Sequence, residues 1–258
     1  MVKQPIPLTP TEVRVLARCP LHYHFRQQSV RLESNLVETL VRETIQQLHA
    51  AGGPARISLA ECLRQVEHQP TARLMVEKYY ARLTRDWSNT IAVNETMALR
   101  ISIAGVALAL EATVDRLDKT SDGGILAVLF CTEAGPLPDE AAFRHDHALT
   151  IYHALVASTY PLKRPVRLQE LWLQLDQSLT IELSEDEYRH NLSDLREPVK
   201  ALARGEVMAR PGLHCESCPF KHHGCPVYLH ETTDEADLDN LVQPPQHGKI
   251  PRQWIFKI

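Results

Sequence analysis

Ile125-Leu126-Ala127-Val128-Leu129-Phe130-Cys131 is an unbroken apolar run near the middle of the chain. Seven consecutive apolar residues are typical of a β-strand that is buried on both faces. The turn residues Ser121-Asp122-Gly123-Gly124 stand directly before the run and mark where the strand begins. The stretch therefore predicts a strand at the centre of a sheet.

Further strands are predicted on both sides of this run. Met97, Leu99, Ile101 and Ile103 recur at every second position, and the alternation resumes between 106 and 114 after Ala104-Gly105. A period of two indicates strands, so these two segments and the central run predict a three-stranded meander. The segments 167–175 and 178–183 predict a second strand pair.

Helical patterns surround the strands. Ser or Thr followed three residues later by Glu is a capping box, and it occurs at Thr9, Ser58 and Ser184. The first of these helices ends at Cys19-Pro20, and the last runs from Ser184 towards Ala203. Apolar periodicity adds helices at 36–48, 71–87 and about 139–158. In the helix at 71–87, the predicted buried side carries Leu74, Met75, Tyr79 and Leu83.

Composition sets broad limits on the function. The chain has 258 residues, is 44% hydrophobic and carries a net charge of -4. It can therefore bury a sizeable core, and no segment approaches the ~20 apolar residues of a membrane span, so we expect a cytoplasmic protein without a membrane partner. The charge argues against a globally basic nucleic-acid binder. Residues 1–32 nevertheless carry five basic residues and one acidic residue, which predicts either a local phosphate-binding face or a solvated helix face.

Four cysteines suggest a metal site. Cys215, Cys218 and Cys225 lie close together near the end of the chain, and Cys19 lies far upstream. Thiolates are soft ligands that suit zinc or an iron-sulfur cluster, and a disulfide is disfavoured because no secretory segment precedes Cys19. The alternative is a zinc site of the three C-terminal cysteines and a histidine, with Cys19 as a core residue. The other two cysteines, Cys62 and Cys131, are predicted to be core residues.

The order of elements, with one cysteine before the sheet and three after it, resembles the RecB-like branch of the PD-(D/E)XK nuclease superfamily. It is most similar to the members with an iron-sulfur cluster, such as the CRISPR adaptation nucleases and the nuclease domain of AddB. The resemblance covers residues 9–228. It implies an α/β, restriction-endonuclease-like core, which is a mixed sheet flanked by helices. It also implies a [4Fe-4S] cluster bound by Cys19, Cys215, Cys218 and Cys225.

This resemblance implies four parts of the chain. An N-terminal helical lobe at 1–95 carries the first cluster cysteine, and the nuclease-like core follows at 96–210. The cysteine-cluster segment is 211–230. An extended tail at 231–258 follows, and it either docks on a partner protein or folds back on its own domain.

The catalytic motif of the family is altered in this chain. Phosphodiester hydrolysis by this family needs carboxylates that hold Mg or Mn, and a lysine that helps to activate water. Asp115 is similar to the first metal-binding aspartate, although a structural role in a turn is the alternative. The second acidic position falls on Leu129 and the lysine position on Cys131. Leucine cannot bind Mg, and a thiol does not supply an ammonium charge.

Other family positions differ as well. The histidine expected on an early helix falls near Arg42 or Glu43, and the glutamine expected one turn before Tyr152 falls on Ala148. Glu133 is the carboxylate nearest to the lost pair. We therefore expect a nuclease fold that has lost hydrolysis, and a shifted but working site that uses Mg or Mn is the alternative.

Binding of DNA does not require the catalytic metal, because phosphate contacts need only cations and backbone amides. The candidate residues are Arg14, Arg18, Arg26 and Tyr23, and Tyr23 either stacks on bases or packs beside the cluster. The leading prediction is a non-catalytic, DNA-associated subunit of a larger machine for genome defence or recombination. An active DNA exonuclease and a zinc-stabilised protein-interaction module are the alternatives.

Overall fold

The computed structural model of the protein describes residues 4–28, 36–86, 89–222, 224–228 and 254–257. A six-stranded mixed sheet lies at the centre, in the order β1-β3-β4-β5-β6 with β2 paired to β3. Its strands are β1 (Ile6–Leu8), β2 (Thr90–Ile103), β3 (Val106–Lys119), β4 (Ile125–Cys131), β5 (Val166–Trp172) and β6 (Gln177–Glu182). Strands β2, β3 and β4 form the predicted antiparallel meander, whereas β1 runs parallel to β3 and β4 runs parallel to β5.

Nine helices of the described chain flank the sheet. They are α1 (Pro10–Arg18), α2 (Pro20–Gln28), α3 (Leu36–Ala50), α4 (Leu59–Arg64), α5 (Pro70–Asp86), α6 (Glu140–Arg144), α7 (His147–Thr159), α8 (Glu185–Asp194) and α9 (Arg196–Arg204). The capping boxes at Thr9, Ser58 and Ser184 all form and start α1, α4 and α8. No helix of the described residues combines the length and apolar character that crossing a bilayer requires.

The central strand β4 is buried on both faces, as predicted. Ala127 and Leu129 belong to a core that includes α1, α7 and α9. Val128 and Phe130 belong to a second core with α3, α4 and α5. Helices therefore cover both faces of the sheet, which is the α/β, restriction-endonuclease-like arrangement.

The end of the described core returns to its beginning. Strand β7 (Glu206–Ala209) follows α9 and leads into a 3-10 turn at Leu213–Cys215. Val207 and Ala209 pack with Cys19 and Leu21, and Cys225 packs against the same group. Strand β8 (Trp254–Lys257) pairs antiparallel with β7, so this part of the predicted tail lies on its own domain. Residues 229–253 lie outside the described residues.

Two predicted helices are each divided into two. The helix predicted at 139–158 is α6 and α7, because Asp146 caps α7 by accepting hydrogen bonds from the amides of Ala148 and Leu149. The helix predicted from Ser184 is α8 and α9, which meet at Leu195. Pro198 has no amide hydrogen and so cannot continue the helical ladder of α8.

The structure differs from the sequence prediction in three smaller respects. Leu74 is 44% exposed on α5, whereas Met75, Tyr79 and Leu83 are buried. Strand β2 begins at Thr90, within the part predicted as a helical lobe. Strand β1 was not predicted, since it is only three residues long and its partner lies about a hundred residues away.

A buried polar network lies between α5 and the sheet. The hydroxyl of Tyr79 is 2.7 Å from Nε2 of His49 and accepts a hydrogen bond of 2.9 Å from Arg116. Two further nitrogens of Arg116 donate to Asp118, at 3.0 and 2.7 Å. Burial, and secondarily the charge of Arg116, lowers the pKa of His49 to about 4. Burial raises the pKa of Tyr79 to about 12.

Candidate functional site

A cleft of about 700 Å³ opens where β3, β4 and β5 meet α1, α3 and α7. Its wall includes most positions compared with the nuclease motif, namely Arg42, Asp115, Leu129, Cys131, Glu133, Ala148 and Tyr152, but not Glu43. The fold therefore brings these positions together, although they are spread over more than a hundred residues of sequence. Ala148 presents a methyl group where the resemblance implies a glutamine.

Asp115 is a buried carboxylate on β3. Its side chain is 8% exposed, and Oδ2 accepts a hydrogen bond of 2.7 Å from the backbone amide of Phe130. Oδ1 forms an ion pair with Nη1 of Arg42. Both oxygens are therefore bound by groups of the protein itself.

Arg42 joins α3 to the end of the central strand. In addition to the ion pair with Asp115, Nη2 donates to the carbonyl oxygen of Phe130 at 2.8 Å, and Nε donates to Glu38 at 3.1 Å. The resemblance placed a histidine near this position. A guanidinium is always charged and cannot bind a metal ion, so it places a fixed cation beside Asp115.

The two replaced positions on β4 carry no compensating charge. Leu129 is 8% exposed and packs in the core. Continuing the register in which Arg116 pairs with Val128 places Leu129 opposite Asp115. Cys131 packs against the core, as predicted, but it is only partly buried and also lines the cleft. Burial raises the pKa of the Cys131 thiol, which favours its neutral form.

Sequence reasoning missed Glu170 and Asp146 in the same cleft. Glu170 pairs with Leu129 across the parallel strands β4 and β5. Arg14 bridges the two carboxylates, at 3.4 Å from Glu170 and 2.7 Å from Asp146. Burial raises the pKa of Glu170, and the charge of Arg14 opposes that rise. No local motif marks these residues, because their position in the cleft depends on the pairing of β4 with β5.

Acidic side chains outnumber basic ones in the cleft. Three arginines line it, at Arg14, Arg18 and Arg42. Six carboxylates line it, at Glu38, Glu111, Asp115, Glu133, Asp146 and Glu170. Arg14 and Arg42 are each bound to two of these carboxylates, so the cleft as a whole is acidic.

The four predicted ligand cysteines line one small cavity on another side of the molecule. Cys19, Cys215, Cys218 and Cys225 are all free thiols and all lie in the cavity wall. Burial raises the pKa of Cys225, and the three other cysteines raise it further. Among the described residues, no three or more His, Cys, Asp or Glu side chains are arranged to hold a single metal ion. The four thiols are therefore neighbours, but they do not converge on one point.

Aromatic rings and histidines complete the wall of this cysteine cavity. The ring of Phe220 lies 5.1 Å from that of Phe25 and 5.4 Å from the imidazole of His22, measured between centroids. His214 hydrogen-bonds to the backbone of Arg210, and its Nε2 is buried without a hydrogen-bond partner among the described residues. Four free thiols in one cavity are soft donors of the kind that an iron-sulfur cluster or zinc binds, and an imidazole nitrogen is a further donor that zinc accepts.

The residues predicted to contact nucleic acid are in different environments. Arg14 is half-buried and engaged in its two ion pairs. Tyr23 is 9% exposed and belongs to the core, so its ring is not available to stack on a base in this conformation. Arg18 and Arg26 are exposed, and no hydrogen bond or ion pair joins either one to another described residue.

The chain was compared with family models, curated proteins and solved structures. The family model for the PD-(D/E)XK nuclease superfamily matches residues 7–225. No curated protein matches the sequence at a significant level. The crystal structure of SSO0001 is 15% identical with a TM-score of 0.45, over 88% of this chain and 89% of that one. A protein from Eubacterium rectale named as a candidate exonuclease is 13% identical with a TM-score of 0.48, over 92% of this chain and 89% of that one.

Proposed function

This chain belongs to the PD-(D/E)XK nuclease superfamily, and we propose that it is a member that has lost hydrolysis and acts as a DNA-associated subunit of a larger complex. The observation that carries the proposal is the ion pair between Arg42 and Asp115. A guanidinium lies against the carboxylate that would bind the catalytic metal. Asp115 is therefore paired with the permanently charged guanidinium of Arg42 and not with an exchangeable metal ion.

The neighbouring positions support the same conclusion. Metal-assisted hydrolysis needs oxygen ligands around Mg or Mn and a group that helps to activate water. Leu129 offers no ligand atom opposite Asp115, and the Cys131 thiol has no ammonium charge. Arg42 also holds Asp115 against the end of β4, so the pair contributes to the fold where a metal would contribute to catalysis.

We also propose that Cys19, Cys215, Cys218 and Cys225 bind a [4Fe-4S] cluster. The support for this proposal is that all four free thiols, one from before the sheet and three from after it, line the same small cavity. Thiolates are the ligands of iron-sulfur clusters. When bound, the cluster would link α2 to the segment after β7. The four thiolates would hold it, and Phe25 and Phe220 would shield it from water.

A subunit of this kind would hold DNA without cutting it. Phosphate contacts require cations and hydrogen-bond donors but no catalytic metal. The exposed Arg18 and Arg26 meet that requirement. Nuclease folds of this type work in genome defence or recombination, and we place the protein in one of these settings with at least one protein partner.

The decisive experiment is a DNA cleavage assay on anaerobically purified protein with Mn or Mg, beside the variant Asp115→Ala. Iron and acid-labile sulfide are measured on the same samples. We expect no cleavage from protein that contains iron. Cleavage that is lost in Asp115→Ala would overturn the proposal, and zinc in place of iron would support the zinc-stabilised module.

One observation favours the active exonuclease as a second candidate. Glu170 pairs with Leu129 on the adjacent strand, so a carboxylate lies beside the lost acidic position. In a shifted site, Glu170 would be the second metal ligand with Asp115. The variant Glu170→Gln tests this role, because it keeps the size of the side chain and removes the charge. Cleavage by the wild type that disappears in Glu170→Gln would establish the shifted site.

A further inference from the structure

Two surfaces of the protein differ in the sign of their charge. The nuclease cleft has three arginines and six carboxylates in its wall, and two of those arginines are already bound to carboxylates. DNA carries one negative charge per phosphate, so an acidic cleft repels it when no metal ion is bound. Binding without a catalytic metal therefore needs another surface.

The two chain segments that form the cysteine cavity carry mostly basic residues. Residues 18–28 include Arg18 and Arg26 and no acidic residue. Residues 210–228 include Arg210, Lys221 and a single acidic residue, Glu216. We call the surface formed by Arg18, Arg26, Arg210 and Lys221 the basic surface.

Specific contacts bring these two segments together. Nη1 of Arg210 donates a hydrogen bond of 3.0 Å to the carbonyl oxygen of Ala17, directly before Arg18. Four residues after Arg18, His22 packs edge-on against Phe220, which is next to Lys221. Because His22 and Arg26 are four residues apart on α2, they lie on the same helix face. The two segments that carry these four basic residues are therefore neighbours in the fold, with Arg18 and Arg26 exposed and Arg210 and Lys221 partly buried.

Arg18 and Arg26 are the cations of the basic surface that can bind a phosphate without losing a hydrogen bond or ion pair to another described residue. Both are exposed, and neither is joined to another described residue by a hydrogen bond or an ion pair. Lys221 is partly engaged, since its Nζ lies 5.0 Å from the centre of the Tyr228 ring. A phosphate that contacts Arg18 and Arg26 breaks no hydrogen bond or ion pair between described residues.

We propose that the DNA phosphate backbone binds on the basic surface, through Arg26 and through Arg18 at the mouth of the nuclease cleft, and does not enter the cleft beyond Arg18. This inference rests on the proposed function as a DNA-holding protein, and it assigns the place of binding. Arg18 also lies in the cleft wall, so the basic surface borders the mouth of the cleft. A strand bound there passes beside the cleft.

The test is DNA binding measured by fluorescence anisotropy in EDTA, with single-stranded and duplex oligonucleotides over a series of salt concentrations. We expect Arg18→Ala/Arg26→Ala to weaken binding roughly tenfold or more and to reduce the slope of log K against log salt by up to about 2. The matched control is Arg56→Ala/Arg100→Ala, which removes two other exposed arginines for the same change in charge. We expect the control to bind within about twofold of the wild type, and circular dichroism confirms that both variants fold.

A third variant tests the cleft itself. Glu111→Gln/Glu133→Gln removes two exposed carboxylates from the cleft wall. If DNA enters the cleft, this variant gains at least as much affinity as Arg18→Ala/Arg26→Ala loses, which would overturn the inference; for a strand that only passes beside the cleft, we expect a gain within about twofold. Unchanged affinity in Arg18→Ala/Arg26→Ala would also overturn the inference and would leave the DNA-holding function in place.

Other results separate this inference from the proposed function. Cleavage with Mn would overturn the proposed loss of hydrolysis without changing the result for the basic surface. Wild-type protein that binds no DNA would overturn both.

Discussion

Arg42 and Asp115 lie 73 residues apart in sequence, and they form an ion pair at the point where β3 and β4 separate. The carboxylate accepts the amide of Phe130 on one oxygen and the guanidinium on the other, while Arg42 also donates to the carbonyl oxygen of Phe130. Asp115 and Arg42 thus bind the backbone amide and the carbonyl oxygen of Phe130, which lies on the central strand β4. The contribution of this ion pair to the free energy of unfolding can therefore be measured without an activity assay.

Removal of the cation should destabilise the fold. In Arg42→Ala, Asp115 remains buried at 8% exposure without its counter-charge. We expect a loss of roughly 2–3 kcal/mol in the free energy of unfolding, which is less than for a fully buried pair because Arg42 is 35% exposed. Urea unfolding measures the change. Arg73→Ala, which breaks an exposed pair with Glu77, should cost no more than about 0.5 kcal/mol. Equal losses in the two variants would contradict a special role for Arg42.

A metal site should be recoverable at the same place. In Arg42→Ala/Leu129→Asp, two carboxylates face each other across β3 and β4 and the competing guanidinium is gone. Their mutual repulsion is relieved by a divalent ion, so Mn should raise the melting temperature of this variant. Thermal unfolding with and without Mn measures the effect. Arg42→Ala/Leu129→Asn keeps the shape but lacks the second charge, and an equal response to Mn in both variants would exclude binding at this pair.

Acid should weaken the fold through His49. Its pKa is lowered to about 4 in the folded protein, from about 6.5 in an unfolded chain. Above pH 6.5 the imidazole is neutral in both states and contributes no pH dependence. Between pH 6.5 and 4 the unfolded state binds a proton that the folded state does not, so stability falls by on the order of 2 kcal/mol.

The variant His49→Gln isolates this contribution. Urea unfolding at pH 7.5 and pH 4.5 gives the loss of stability for each protein, and we expect the loss to be smaller in His49→Gln. Other titrating groups are common to both proteins and cancel in the comparison. His68→Gln changes an exposed histidine and should leave the loss as in the wild type. If His49→Gln and the wild type lose the same stability, His49 does not titrate in this range.

If the cysteines of this cavity bind a cluster, variants of those cysteines should lose iron. Cys19→Ser removes a thiol that lies almost two hundred residues from the other three, and we expect it to lose most of the bound iron, as Cys218→Ser should. Cys131→Ser is the matched control, because Cys131 lines the nuclease cleft and not the cysteine cavity. Iron per chain and the visible absorbance spectrum measure the outcome. Full iron content in Cys19→Ser would restrict the site to the C-terminal cysteines.

Sequence reasoning succeeded where the cause of a structure is local. The capping boxes at Thr9, Ser58 and Ser184 satisfy amides within three residues, and the run ending at Cys131 is apolar on both faces. In each case, the residues that determine the structure lie close together in sequence. All three helix starts and the central strand formed as predicted.

It failed where partners are distant in sequence. Arg42 was recognised as a departure from the family, but its pairing with Asp115 depends on how α3 lies over the sheet. Glu170 reaches the cleft only because β5 runs parallel to β4. Asp146 divides a helix because its carboxylate binds the amides at the start of α7 and also pairs with Arg14 on α1. No local pattern carries that information.

The Arg42 contact also bears on how such a protein could change over evolutionary time. A single mutation of Leu129 to an acidic residue would place a new charge beside a pair that is already balanced, so it would cost stability and bring no metal. A single loss of Arg42 would leave a buried carboxylate unbalanced. If the proposed loss of hydrolysis is right, each single step back towards catalysis would cost stability until the other had occurred, so the arginine would oppose the return of a metal site.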